Sequence, residues 1–358
     1  MKILMVCDFF PNRYKPYEGV FFKNHAKVLK KLGKLKVQTL IRVNNLRFGY
    51  ERWNIEDIEV EAIVFFYKPK FGILFFPLSI VFHFFLIFKN LITFKPDRII
   101  LQMSLPHGLS LIPLSIFKKY IVLEHSRRVL FGVNKFLSKL VYRFSSGVFV
   151  VSSFQKEELE NKLKVKVNGI IPNPIFTRKM EENKNIKNKV IFVGTITDGK
   201  NPILVLEVAK LLSEINFVIV GRHFNDSYYK KFYEISKTLK NVSYLGPLDN
   251  ENTINEIIDS DFLISTSSYE TFGYAIAEAL SLGKPVIWTD SGGPRDFLNE
   301  RNSILVKERT PHALKEAILE AYEKLKIGFF NSKEISDSIL SYCSEDKVLE
   351  FYKKALES

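Results

Sequence analysis

The residues best suited to chemistry lie in one stretch, Ser268-Tyr269-Glu270-Thr271-Phe272-Gly273-Tyr274-Ala275-Ile276-Ala277-Glu278-Ala279-Leu280. Its two carboxylates, Glu270 and Glu278, stand eight positions apart around an otherwise apolar segment. Ser267, Ser268 and Thr271 are residues that open helices and Gly283 is one that closes them. Glu270 is therefore expected on a loop and Glu278 inside the short helix that follows. From Tyr274 to Leu280 that helix is apolar on every side except at Glu278, which predicts burial. A carboxylate there is costly unless something donates hydrogen bonds to it. A Lys or Arg from elsewhere in the chain would serve, and so would a hydroxyl of a bound ligand.

Phosphate-type chemistry gathers around the same stretch. Four polar loops each follow a short apolar run: Gly194 to Lys200, Gly221 to Asn225, Ser267 to Gly273, and Asp290-Ser291-Gly292-Gly293-Pro294. In a parallel sheet such loops meet at the carboxyl edge, where ligands bind. A helix starting near Gly273 offers N–H groups and a positive dipole end to an anion, and Lys200 adds a mobile cation. These features suit a nucleoside diphosphate, with Glu278 accepting from a ribose hydroxyl by analogy with dinucleotide-binding folds.

The elements that must position these residues repeat strand, loop and helix. Ile3 to Cys7 reads as a strand buried on both faces. The Pro- and aromatic-rich loop Asp8 to Gly19 follows, then a helix over Phe21 to Leu32 and a strand over Val37 to Ile41. Strands are expected at Arg98 to Leu101 and Tyr120 to Leu123, each followed by a His-bearing turn, Pro106-His107-Gly108 and Glu124-His125-Ser126-Arg127-Arg128. His107 reads equally as an acceptor-side residue or as a structural turn histidine. After a strand at Val148 to Val151, Ser152-Ser153 caps another helix. Ile170 to Pro174 and the polar run Lys179 to Lys189 form the linker candidate. Five further strands, at Val190 to Gly194, Phe217 to Gly221, Val242 to Gly246, Phe262 to Ser265 and Pro285 to Trp288, alternate with helices, and Pro202 opens the first of these. The expected fold is α/β, with two doubly wound parallel sheets. The domains would be 1–174 and 175–343, with an amphipathic tail helix over 344–358.

At 358 residues and 46% hydrophobic content the chain is long and apolar enough for two full cores, which excludes an intrinsically disordered chain. Cys7 and Cys343 stand far apart without metal-like spacing and suit a reducing compartment. Met1 to Val6 enters a strand with no cleavable signal pattern, so a cytoplasmic protein is expected. The net charge of +13 is polarised: residues 1–174 hold 28 Lys and Arg against 12 Asp and Glu, whereas residues 175–358 hold 24 against 27. The basic half is expected to face something anionic, a membrane surface or nucleic acid. Lys135, Lys139 and Arg143 form one stripe on a helix over Asn134 to Phe144, flanked by Phe136, Leu140 and Phe144. That stripe fits a solvated face or an anionic surface. The run Phe71 to Phe88 is short of the roughly 20 residues that a spanning helix needs and contains Pro77 and His83. It reads as a helix lying partly in the core and partly at a membrane interface, with a plain core helix and a span as alternatives.

Glu270-x7-Glu278 resembles the paired-glutamate motif of the retaining glycosyltransferases of family 4, which have the GT-B architecture. The likeness continues through Gly283-Lys284-Pro285-Val286-Ile287 and Thr289 to Pro294. It extends to Phe192-Val193-Gly194, Lys200, Tyr244-Leu245-Gly246, Glu124-His125, and Pro16-Tyr17-Glu18-Gly19 with His25. The resemblance implies two Rossmann-like domains facing a central cleft, with the tail helix crossing back to the N-terminal domain. It implies that Glu270 binds hydroxyls of a donor sugar and Glu278 the ribose. Lys200 and the N–H groups at Phe272, Gly273 and Tyr274 would stabilise the departing diphosphate, together with the loop after Gly194. Gly19 would allow the first loop to approach closely, and His125 would contact the sugar near the reacting carbon. The base would be met by backbone near Leu245. No metal or other cofactor is implied, since a cation and a helix dipole supply the electrostatics. One departure stands out: family members carry an Arg where this chain has Thr195, and Arg222 at the next strand's end is the candidate replacement.

The function expected from all this is transfer of a sugar, with retention, from a nucleotide-diphosphate sugar to a lipid-linked or cell-surface glycan. The acceptor would be held by the basic half, with Arg127 and Arg128 beside the stripe, at the inner face of the cell membrane. A non-catalytic GT-B scaffold or donor sensor is the alternative that Thr195 raises. Nucleic-acid binding lacks a motif, and oligomeric state is not legible.

Overall fold

A computed structural model describes residues 1–68, 72–176 and 185–357. Phe71, where the apolar run starts, and the part of the polar run from Lys179 to Lys184 lie outside them. The chain forms two compact units, residues 1–174 with 345–358, and residues 175–344.

In the first unit β1 (Lys2–Cys7) lies between β2 (Lys34–Val43) and β5 (Arg98–Gln102), with Met5 opposite Val37 and Ile100. Ile3 to Cys7 are all fully buried, as a centre strand covered on both faces requires. The sheet runs on through β6 (Tyr120–Glu124), β7 (Gly147–Val150) and β8 (Gly169–Ile170) on one side and β4 (Ile58–Phe66) on the other. The edge strand β3 (Phe48–Ile55) is antiparallel to β4. Glu56 and Asp57 join the two with φ of 49° and 59°, the left-handed pair that a tight hairpin uses. Around the sheet lie α1 (Val20–Lys30), α2 (Gly72–Thr93), α3 (Gly132–Phe144) and α4 (Ser153–Leu163). Ser152 caps α4 by accepting from the Gln155 N–H at 3.2 Å.

The second unit is a wholly parallel six-stranded sheet of order β11-β10-β9-β12-β13-β14. Its strands are β9 (Lys189–Val193), β10 (Asn216–Val220), β11 (Val242–Gly246), β12 (Phe262–Ser265), β13 (Val286–Thr289) and β14 (Ser303–Val306). The order reverses between β9 and β12, the switch point at which doubly wound sheets bind ligands. Among the described residues six helices flank it: α5 (Pro202–Ala209), α6 (Ser227–Lys237), α7 (Asn250–Ile258), α8 (Tyr274–Ser281), α9 (Pro311–Lys326) and α10 (Ser332–Cys343). Asp261, in the Asp259-Ser260-Asp261 triplet, is structural. Its carboxylate accepts from the N–H groups of Lys187 and Lys189 and from the Tyr322 hydroxyl.

The last helix, α11 (Glu345–Glu357), belongs to the first unit. Lys31 pairs with Glu345 and Asp346 at 3.1 and 3.3 Å, and the Arg98 guanidinium donates to the Leu356 carbonyl at 3.2 Å. Tyr352 is fully buried. The helix α2 has two faces. Ser79, His83, Leu86, Ile87 and Asn90 are buried, whereas Leu78, Val81, Phe85, Phe88 and Ile92 are exposed. Length and composition from Phe76 to Thr93 would allow a membrane crossing. The buried face carries Ser79, His83 and Asn90, and His83 Nδ1 and Asn90 Nδ2 make hydrogen bonds inside the first unit.

Candidate active site

The four loops of the second unit meet at the carboxyl edge of its sheet. The Ser268 N–H donates to the Gly199 carbonyl at 2.9 Å, which ties the β12 loop to the β9 loop. Ile196 bridges His223, and Glu270 bridges Gly292. The Glu270 N–H donates to Ser291 at 2.7 Å, and the Gly293 N–H returns to the Glu270 carbonyl at 3.0 Å. The Lys200 ammonium forms an ion pair with Glu270 Oε1, which also accepts from the Ser267 hydroxyl at 2.7 Å. Glu270 is thereby fixed in place on both its backbone and its carboxylate.

The helix α8 starts at Gly273 as expected, but without a capping side chain. Gly273 lies in the left-handed region at φ 90°. A Cβ there would stand 2.6 Å from Pro294 Cγ, so only glycine fits this turn. Ser267, expected to cap the helix, orients Glu270 instead. The first-turn N–H groups of an α-helix have no intrahelical partner, and no side chain caps α8 at Gly273, next to the loop whose Glu270 pairs with Lys200. Glu278 is half-buried rather than buried, because α8 packs only one side, and its Oε1 accepts from Asn250 Nδ2 at 3.2 Å. Thr195 is half-buried, while Arg222 is exposed with its guanidinium 5.5 Å from the Phe224 ring centre. Leu245 is exposed at the end of β11, and the Tyr244 hydroxyl ties that strand to the Gly221 carbonyl at 2.9 Å.

In the first unit the His125 turn is anchored by Glu124, a fully buried carboxylate. Glu124 accepts from Ser104 N–H (2.9 Å), Ser104 Oγ (2.6 Å), Tyr142 Oη (2.8 Å), His125 N–H (3.1 Å) and Ser126 N–H (2.8 Å). Burial pushes the Glu124 carboxyl up, and the donors around it pull the other way. His125 donates from Nε2 to Gln102 Oε1 at 2.7 Å, and burial holds its pKa well below the ordinary histidine value. Gly19 takes φ 74°, and a Cβ there would meet the Phe9 carbonyl oxygen at 2.7 Å. The contact inside its own loop is reason enough for a glycine.

His107 is corrected from an acceptor-side candidate to a core residue. It is fully buried and donates from Nε2 to the Gln102 carbonyl at 2.8 Å. Arg128 does reach a cavity of about 570 Å³, lined also by Asp8, Lys15, Arg42, Tyr67 and Phe76. Arg127 lies outside that cavity, with its guanidinium 5.3 Å from the Phe131 ring centre. Lys135, Lys139 and Arg143 are all exposed on α3. Lys139 and Arg143 line a second, shallower hollow with Phe136 and Leu140.

Asp8, His83 and His107 place three metal-ligand-type atoms within 4.8 Å of one another. Hydrogen bonding assigns them other work. Asn90 Nδ2 donates to Glu61 and to Gln38 Oε1, so Gln38 Nε2 donates to His83 Nδ1 at 3.2 Å. The proton of His83 is therefore on Nε2, the atom facing the cluster. Arg42 already donates to Asp8 Oδ1 at 2.6 Å. Burial pushes the Asp8 carboxyl up, but Arg42 and His83 outweigh it and hold it well below the carboxylate range. The Arg42 guanidinium bonded to Asp8, with the His83 ring N–H turned toward the same carboxylate at 3.9 Å, makes an ion-paired cluster rather than a cation cradle.

Sequence reasoning missed Ser267, Gln102, Arg42 and Arg309. The Arg309 guanidinium lies 3.4 Å from the carbonyls of Ser267 and Ser268 and holds the loop that carries Glu270. All four act across more than 20 residues or through a single hydroxyl, and no local spacing marks them.

Comparison with known proteins fits this geometry. Residues 175–326 match the family described as Glycosyl transferases group 1. TuaC of Bacillus subtilis, by name a glycosyltransferase of teichuronic acid biosynthesis, is 24% identical over 376 residues, covering 95% of this chain and 92% of its own. These matches support a glycosyltransferase, and the chain has a GT-B-like fold. A sucrose-phosphate synthase from Thermosynechococcus elongatus superposes on it with a TM-score of 0.81 at 14% identity, covering 99% of this chain and 98% of that one. HepE of Anabaena, solved in complex with UDP and glucose, gives a TM-score of 0.73 at 16% identity, covering 100% and 99%. These two show the fold alone.

Proposed function

We propose that this protein is a retaining glycosyltransferase of family 4 that transfers a sugar from a nucleoside-diphosphate donor to a lipid-linked or cell-surface glycan. The observation that carries the reading is the Lys200–Glu270 pair beside the uncapped start of α8, at the switch point of the second sheet. There Lys200 and the α8 N–H groups stabilise the departing diphosphate, so that no bound metal is needed. Glu270 reads the sugar, Glu278 the ribose, and His125 contacts the sugar near its reacting carbon. Retention follows from front-face attack, with the leaving phosphate taking the acceptor's proton. Uridine diphosphate sugars are the first donors to test, since HepE was solved with UDP.

The acceptor belongs to the first unit. Arg42, Lys15 and Arg128 line the cavity of about 570 Å³ together with Tyr67 and Phe76, a combination that suits a phosphorylated, partly apolar acceptor. The exposed apolar face of α2 and the Lys135-Lys139-Arg143 stripe support peripheral binding at the cytoplasmic face of a membrane. Vesicles with anionic lipid should bind the protein in low salt and release it in high salt. A protein that ignores both lipid charge and salt removes the membrane part.

Glu278→Ala should weaken binding of free nucleoside diphosphate about tenfold, the value of a charge-assisted hydrogen bond. Glu270→Ala should leave that binding within about twofold and lower transfer far more. Calorimetry with free nucleotide, run beside a transfer assay, reads both. Equal nucleotide affinity in the two variants ends the division of labour. Arg222→Ala should likewise lower transfer well beyond Arg13→Ala, whose guanidinium pairs with Glu51 at 2.5 Å away from any site described. Small, equal effects dismiss Arg222 as the replacement for the missing cation at Thr195.

A further inference from the structure

A chain of four buried hydrogen-bonding side chains ends on the half-buried His125, and its direction can be read from one end to the other. His25 Nε2 donates to Asn173 Oδ1 at 2.9 Å. Its Nδ1 is then a bare acceptor, and the Tyr352 hydroxyl donates to it at 2.9 Å. The same hydroxyl oxygen accepts from Gln102 Nε2 at 3.3 Å. Gln102 must then turn its Oε1 toward His125, which donates from Nε2 at 2.7 Å. The three inner members, His25, Tyr352 and Gln102, are each used once in each direction, so no proton can shift without reversing the whole row. The contributors are α1, the end of the first unit's chain at Asn173, α11, β5 and the β6 turn. Tyr352 is 250 residues from Gln102 in sequence.

The row leaves one atom unspent. His125 Nδ1 is buried and has no hydrogen-bond partner among the described residues. Its ring is held on three sides: the His25 ring stands edge-on with centres 5.3 Å apart, Phe22 likewise at 5.3 Å, and Phe21 tilts at 5.4 Å. The Glu124 carboxylate holds the main chain beneath it, accepting from the His125 N–H at 3.1 Å.

We propose that Gln102, Tyr352 and His25 are positioning residues that lock His125 in its Nε2–H tautomer, so that Nδ1 meets a donor-sugar hydroxyl as a neutral acceptor. The proposal rests on the reading of His125 as the residue near the reacting carbon. The histidine serves as a fixed hydrogen-bond acceptor, not as an acid or base. Its proton is committed to Gln102, and the neighbouring His25 disfavours a second one. The last helix thereby contributes to catalysis without touching substrate.

Nitrogen-15 NMR of the histidine-labelled full chain reads the tautomer directly, with His125→Gln assigning the resonance. In the native protein Nε2 should be pyrrole-like and Nδ1 pyridine-like. Tyr352→Phe and Gln102→Leu should each populate both tautomers. They should lower kcat for transfer about tenfold while donor KM stays within about twofold, the worth of one hydrogen bond. Gln102→Glu keeps an acceptor for Nε2–H but favours the imidazolium. Its transfer rate should fall as pH drops through the raised His125 pKa, where the native rate stays level. An unchanged tautomer in Tyr352→Phe and Gln102→Leu overturns the proposal. So does a mixed tautomer with unchanged kcat. A native protein that transfers no sugar from any nucleoside-diphosphate donor removes the proposed function, and the NMR arm still decides the relay.

Discussion

Replacing Lys200 with alanine should leave a folded protein whose transfer rate is lower by about 10²–10³-fold, the range found when one preorganised donor to a developing negative charge is removed. The two halves of this expectation have different causes. Lys200 keeps a third of its side chain exposed, and its partner Glu270 is 16% exposed. Exposed and half-exposed pairs contribute only about 0–1 kcal/mol to stability. The fold should therefore tolerate the change. Catalysis should not, because the loss is double. The cation leaves, and the Glu270 carboxylate remains on the Ser267 hydroxyl, adding negative charge where a diphosphate must depart. Lys200→Ala/Glu270→Gln should consequently be no slower than the product of the single effects, and should recover part of the nucleotide affinity lost in Lys200→Ala. Steady-state kinetics and nucleotide titration on the four proteins check this. A single-variant loss below about threefold would place the ammonium out of contact with the leaving group.

The site in the second unit was legible because its information is local. Each loop there follows a short, fully apolar strand, and parallel strands send such loops to one edge by topology alone. Glu270, Lys200 and Gly273 could thus be brought together without knowing any distance. What the letters could not show is which hydroxyl does what. Ser267 and Thr271 carry helix-start chemistry, yet Pro294 crowds Gly273 until the backbone itself makes the cap, and Ser267 is left to orient Glu270. The first unit was legible in its strands and less so in its polar interior. The β3–β4 hairpin was missed because its turn is Glu56-Asp57, not the Asn-Gly pair that marks such turns. The apolar character of α2 likewise hid the roles of His83 and Asn90, whose partners Gln38 and Glu61 come from β2 and β4. Long-range polar pairing leaves no periodicity in a sequence, so His107 read equally well as a surface residue or a core one.

The same buried histidines should make the first unit acid-labile on its own. Burial lowers the pKa of His25 to about 4, partly offset by Asn173, and that of His107 to about 3, with His83 adding to the depression. Burial also lowers His83 and His125. An unfolded histidine takes up its proton near pH 6.5. Between that value and the folded values the unfolded chain holds more protons, so stability falls as pH falls. From pH 7 to 5.5 the linkage costs about 1.2 kcal/mol for His25 and the same for His107, and the other two act in the same direction. Against a total of roughly 5–15 kcal/mol for a domain, that lowers the melting temperature of the first unit by about 5–10 °C. Asp8 does not contribute in this window. Its carboxyl is held well below the usual range beside Arg42, so the pair survives to lower pH. The chain has two tryptophans, Trp53 in the first unit and Trp288, buried, in the second. Trp288→Phe and Trp53→Phe variants therefore report on each unit separately by fluorescence melts. The Trp53 signal should move with pH as calculated, and His107→Asn should flatten its slope by up to about 1.4 kcal/mol per pH unit. A Trp53 melting curve that stays level between pH 7.5 and 5.5 would mean these histidines are reached by water and protonate in the folded state.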